Sequence, residues 1–169
     1  MSLMIDLLNA LLIILMFWVV LQDFKSRTLN LYVAISIFLI SSIIALNTYA
    51  INWILEVIFY NFLLLVLFYG LLILFYLYRG VSLFDFFEGK LGVGDIVFTI
   101  SIISCFTFKN LLYFLLLSFL FSLLIHKGLS FFKSIKSPTI PLAGNMALFL
   151  IIVKFSKTFG FNEPINSLI

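Results

Sequence analysis

Two aspartates stand where the chain leaves long apolar stretches. Asp23 is followed by Lys25 and Arg27, and Asp95 closes the run Gly92-Val93-Gly94-Asp95. A carboxylate at the edge of an apolar segment costs solvation free energy, so it usually has a task. Brought within a few ångströms of each other, two carboxylates cannot both ionise cheaply, so one pKa rises and the pair holds a single proton. The ionised member can then take a proton from water. The protonated member polarises a carbonyl and later assists an amine leaving group. That is hydrolysis of a peptide bond with no metal, cysteine or serine. Glycines 89, 92 and 94 allow positive φ and close backbone approach beside Asp95. The same stretch also reads as a plain turn between helices with Asp95 as a helix cap, because Asp is a good N-cap. Gly-x-Gly-Asp alone is a weak signal.

Other chemistry-bearing residues are sparse. Cys105 is the one cysteine and lies in an apolar run. It therefore makes no disulfide or cysteine metal cluster within the chain and reads as a small packing residue. His126 is the one histidine, beside Lys127. A single histidine makes neither a metal site nor a triad, so a polar helix end or a lipid-headgroup contact is its reading. No metal and no cofactor is expected.

The elements that must position the aspartates are membrane helices. Of the 169 residues, 64% are hydrophobic and only 10% charged, and the mean hydropathy is +1.29. A soluble domain cannot cover that much apolar surface. The expected fold is all-α: one polytopic membrane domain over residues 1–169 with about six transmembrane helices of ~20 residues each. The spans run from about Leu3 to Gln22, Leu31 to Leu46, Ile54 to Tyr78, Asp95 or Ile96 to Phe106–Phe108, Leu111 to Ile125, and Ile140 to Phe155. A cleaved signal peptide is the competing reading of the first, and it fits poorly. The span has no basic leading region, Asp6 precedes the apolar core, and no small-residue cleavage site follows. The loop from Arg79 to Gly94 carries Asp85 and Glu88 among aromatics, as in a short amphipathic segment at a membrane surface. A tight turn is expected at Lys109-Asn110 and a basic connector from His126 to Lys136. A loosely ordered tail is expected after the last span.

Basic residues orient the spans. The loops after spans one and three and before span six hold Lys25, Arg27, Arg79, Lys90, Lys127, Lys133 and Lys136; the other side holds Lys109, Lys154 and Lys157. This asymmetry puts the first set inside and both termini outside. The net charge of +3 is thus orientation information rather than nucleic-acid affinity. Asp23 and Asp95 both fall at the inner face, far apart in sequence but at one end of the helices.

On these residues the chain resembles the type IV prepilin peptidases and the archaeal preflagellin peptidases. Asp23-Phe24-Lys25-Ser26-Arg27-Thr28-Leu29-Asn30 is similar to that family's first motif, an aspartate followed by basic residues and an Ile-Pro-Asn-like step. Gly92-Val93-Gly94-Asp95 matches the second. Pro138-Thr139-Ile140-Pro141-Leu142-Ala143 is similar to the Pro-x-x-Pro entry to the last helix. The usual proline of the first motif is Asn30 here, and the lysine common two residues after the second is Val97. The resemblance covers nearly the whole chain. It implies a six-helix membrane aspartic peptidase in a prokaryotic cytoplasmic membrane, with Asp23 and Asp95 as the catalytic pair. Gly92, Gly94, Lys25 and Arg27 would support the motifs. It implies a pilin-like precursor as substrate, with a short basic leader cut at the cytoplasmic face after a small residue, and a surrounding of membrane lipid. Asp85 and Glu88 would attract the basic leader, and Pro138 and Pro141 would line the substrate path. The paired-cysteine segment of the longer bacterial enzymes has no counterpart here, so peptidase activity is expected without methyl transfer. The presenilin-like proteases share Gly-x-Gly-Asp but are larger, with a different first motif. A scaffold or transporter subunit is the non-enzymatic reading. In it Asp23 pairs with Lys25 or Arg27, Asp95 is an N-cap, and Asn61, Ser41, Ser42 and Ser118 are the few polar groups at span centres.

Overall fold

The structure is a computed structural model and describes residues 2–83, 92–131 and 141–158. Those residues are all-α. Helix α1 is Ser2–Ser26, α2 Leu31–Leu46, α3 Ile51–Tyr78 and α4 Val93–Ser101, which is followed by a short 3-10 helix at Ile103–Cys105; α5 is Phe108–Phe131 and α6 Leu142–Thr158. Among the described residues three helices, covering Leu3–Ser26, Ile51–Tyr78 and Phe108–Gly128, are long and apolar enough to cross a membrane. The segments Leu31–Leu46, Val93–Cys105 and Leu142–Phe155 are shorter apolar helices. At 1.5 Å per residue α3 is about 42 Å long, well over the ~30 Å of a hydrocarbon core. The 16 residues of α2 reach only about 24 Å.

The helices alternate in direction, and α6 is the central one. Ala143, Met146, Ala147 and Leu150 of α6 are buried, at spacings of three and four. They pack on α1, whose buried residues Leu12, Met16, Val19 and Asp23 follow one another at spacings of four, three and four. Residues so spaced lie on one helical face. Asp23 is therefore the last member of the stripe that α1 turns toward α6. Apolar side chains such as Leu7, Ile14, Phe17, Leu63 and Leu67 point outward, as expected for surfaces that meet lipid.

Buried polar groups mark the helix contacts. Asn61 of α3 is fully buried, and its Nδ2 donates to the carbonyls of Ile103 (2.8 Å) and Phe106 (2.6 Å). The break between α4 and α5 frees carbonyls at this point, and in an apolar interior they need a donor. Ser41 of α2 bonds Ser104 beside it. Tyr69 of α3 and Thr99 of α4 share a 2.9 Å hydroxyl contact, and Asn145 of α6 donates to Ser122 of α5 at 2.8 Å.

Several boundaries differ from the spans read in the sequence: α1 runs on to Ser26, α3 opens at Ile51 and α4 at Val93. The α4–α5 turn is at Phe106-Thr107, and Lys109 and Asn110 already lie in the first turn of α5. The Thr107 carbonyl accepts the amide of Leu111, and the helix opens at Phe108, three residues before the Leu111 start read in the sequence. At its other end α5 continues through His126 and Lys127 to Phe131, so the start of the basic connector is helical. Asp85, Glu88, Lys90, Lys133, Lys136, Pro138 and the tail from residue 159 lie outside the described residues.

Candidate active site

Asp23 sits in the last turn of α1. The helix ends on Arg27, which adopts φ 54°, and the Arg27 amide donates back to the Asp23 carbonyl at 3.0 Å. This single bond from the residue in the left-handed conformation closes the helix end. A non-glycine residue there costs roughly 1 kcal/mol. Lys25 and Arg27 are exposed. The chain then crosses in Thr28 and Leu29 to Asn30, whose side chain accepts from the Tyr32 amide at 2.9 Å and caps α2. Asn30 is thus a strong N-cap, and its own amide donates to Gln22 at 3.3 Å.

Asp95 is the third residue of α4. Gly92 is the N-cap position, with extended backbone at φ −69° and ψ 135°. Its amide donates to Asp95 Oδ2 at 3.2 Å, and its carbonyl accepts the Asp95 amide at 3.0 Å. Gly94 faces the α1–α2 connection: a Cβ there would lie 3.3 Å from Cβ of Leu29. The two glycines have separate uses, one as an unhindered cap and one as the place where α4 meets Leu29.

The two carboxylates meet at the start of α6. Asp95 Oδ1 accepts the amide of Ala143 at 2.7 Å, and Asp23 Oδ2 accepts the amide of Gly144 at 2.6 Å. These donors are consecutive. Because neighbouring peptide units span less than 3.8 Å, the bound oxygens lie no more than about 9 Å apart. A helix N-terminus has amides without intrahelical partners and a partial positive charge, so it suits anions. Asp95 also lies at the positive end of its own helix. Asp23 lies at the negative end of α1, where a carboxylate is disfavoured by roughly 0.3–1 kcal/mol, and the α6 amide offsets that cost. Asp23 is 7% exposed, while Asp95 is half-buried.

Pro141 supplies the start of this arrangement. Its carbonyl accepts the Asn145 amide at 3.2 Å, so α6 begins there. Proline has no side-chain acceptor for the next amides, and the aspartates from α1 and α4 take that place. Gly144 is the residue that sequence reasoning did not single out. A Cβ on it would lie 3.0 Å from Asp23 Oδ2 and 3.1 Å from the ring of Phe24. Its sequence signal was a pair of small residues, Ala143-Gly144, just after a proline at a helix start. Val97 is half-buried on α4. His126 is half-buried on α5. Cys105, with Ser104 and Thr107, lines a small pocket with Tyr49, Trp53 and Ile54 at the opposite end of the helices. Among the described residues, no three His, Cys, Asp or Glu side chains gather as metal ligands would.

In comparisons with known proteins, no family model, no curated protein and no solved structure matches the chain.

Proposed function

We propose that this membrane protein is an aspartic endopeptidase that removes the basic leader from type IV pilin-like precursors at the cytoplasmic face of a prokaryotic membrane. The observation that carries the reading is the convergence of Asp23 and Asp95, from helices far apart in sequence, on the adjacent amides of Ala143 and Gly144. The motif resemblance supplies the substrate class, and the distribution of Lys and Arg supplies the face.

In the mechanism, one aspartate takes a proton from water as the water oxygen bonds to the scissile carbonyl carbon. Its protonated partner gives its proton to the carbonyl oxygen. The resulting diol collapses: the carbon–nitrogen bond breaks, the nitrogen gains a proton from one aspartic acid, and a diol hydroxyl returns one to the other. Water and peptide go in, acid and amine come out, and the pair ends with one proton as it began. The amides of α6 hold both carboxylates throughout, so little reorganisation is needed at the moment of reaction. A substrate helix lying in the bilayer presents its inner end at this level. A small residue before the cut lets its backbone approach.

The same two hydrogen bonds favour a second reading, in which the aspartates only cap α6 in a scaffold. Purified protein in liposomes, given a pilin-like precursor, separates the two. Product appearing with a new N-terminus at the leader junction, and abolished in folded Asp23→Asn and Asp95→Asn proteins, is the peptidase result. Absence of product across a panel of precursors, with both variants folded, is the scaffold result.

A further inference from the structure

Gly144 has two roles at one atom pair. Its amide donates to the Asp23 carboxylate at 2.6 Å. Its missing side chain is what lets that carboxylate and the Phe24 ring close on it, at 3.0 and 3.1 Å from the place a Cβ would occupy. Glycine is a poor choice inside a helix, costing roughly 0.5–1 kcal/mol against alanine. Its φ is not in the left-handed region, since among the described glycines only Gly80 has positive φ. Backbone freedom therefore does not explain it, and close approach does. Gly70 in α3 gives the contrast: a Cβ there meets nothing within 4 Å.

We infer that Gly144 is a positioning residue for Asp23, fixing its carboxylate on the α6 amide beside Asp95 and holding open the space that carboxylate fills. A Cβ at residue 144 and the Asp23 oxygen cannot both keep their places. The Phe24 ring is partly exposed and can swing away. The Asp23 oxygen can yield only by stretching its bond to the amide. The kinetic part of this inference rests on the peptidase reading; the structural part does not.

The experiment compares precursor cleavage by wild type, Gly144→Ala, Phe24→Leu, the Gly144→Ala/Phe24→Leu double variant and Gly70→Ala, each checked by thermal unfolding. Misplacement by a fraction of an ångström predicts a fall in kcat of about tenfold for Gly144→Ala. KM should stay within about twofold, since the substrate helix is held elsewhere. Gly70→Ala should match wild type. The double variant should stay about tenfold below Phe24→Leu, because relieving the ring does not relieve the carboxylate. Unchanged kcat in Gly144→Ala, or full recovery in the double variant, overturns the inference.

If wild type cleaves nothing, the peptidase reading falls and unfolding alone decides the rest. Gly144→Ala should then lower the melting temperature by several degrees with Asp23 present and by clearly less in an Asp23→Ala background. Equal shifts, or failure to fold in both backgrounds, would assign the defect to the ring or the helix and overturn the placement of Asp23.

Discussion

Replacing each aspartate by asparagine should affect stability unequally, although both changes remove one charge from one pair. Among the described residues, the Asp23 carboxylate accepts one backbone amide, that of Gly144 at 2.6 Å. Asparagine at residue 23 can turn its single carbonyl oxygen to that amide and its NH2 away, so the bond is weakened but kept. Asp95 accepts on both oxygens, from Ala143 at 2.7 Å and Gly92 at 3.2 Å. Asparagine at residue 95 has one acceptor for two amides, and its NH2 must face an N–H. Hydrogen bonds to a charged group contribute about 1.5–3 kcal/mol and neutral ones about 0.5–1.5. Each variant therefore loses about 1 kcal/mol from the bond it keeps. Asp95→Asn loses about 1–2 kcal/mol more from the bond it cannot make. Coupling between the two carboxyl groups is lost in both variants and cancels in the difference. For a chain of this length that difference is about 2–8 °C in melting temperature. Thermal unfolding of the two variants in one detergent and buffer reads it directly. Asp23→Asn melting at or below Asp95→Asn would refute the assignment of two amides to Asp95 and one to Asp23.

Three further outcomes follow from the packing. Asn61→Leu removes both donors to the Ile103 and Phe106 carbonyls and should cost about 2–4 kcal/mol, read as an earlier unfolding transition; a change below 1 kcal/mol would mean that these carbonyls find other partners. Gly94→Ala sets a Cβ against Cβ of Leu29 and should destabilise by about 1 kcal/mol, with favourable coupling in a double-mutant cycle with Leu29→Gly, which removes that atom. No coupling would place the strain elsewhere. Asn30→Ala removes the cap on the Tyr32 amide and should lower stability by about 1 kcal/mol, measurable in the same unfolding assay, whereas an unchanged transition would show that solvent satisfies this amide equally well.

The helical class and the common end of the two aspartates were legible in the sequence because hydropathy is a cumulative signal. Long apolar runs set the helices, and the short loops between them set which helix ends lie together. Which helix faces make contact was not legible in the same way. The helices are apolar all round, so Leu12 in the core and Leu7 on the outside look alike. The better markers are small and polar residues, which membrane helices turn toward one another. Ser41, Asn61, Ser118, Ser122 and Asn145 are all buried. The partners of the aspartates were hidden for another reason. They are backbone amides, and any residue but proline carries one. Only the small pair Ala143-Gly144 after Pro141 hinted at a close approach. The α4–α5 turn was misplaced because Lys109 was read as the turn itself, whereas α5 opens at Phe108.

The central claim is that Asp23 and Asp95 act as one unit at the start of α6. The measurement that tests it most directly is single-turnover cleavage of a pilin-like precursor by wild type, Asp23→Asn, Asp95→Asn and the double variant, all shown to be folded. Groups that work as a unit are not additive, so losing one is as severe as losing both. The account predicts that each single variant is as inactive as the double. A single variant that keeps measurable cleavage above the double would contradict it.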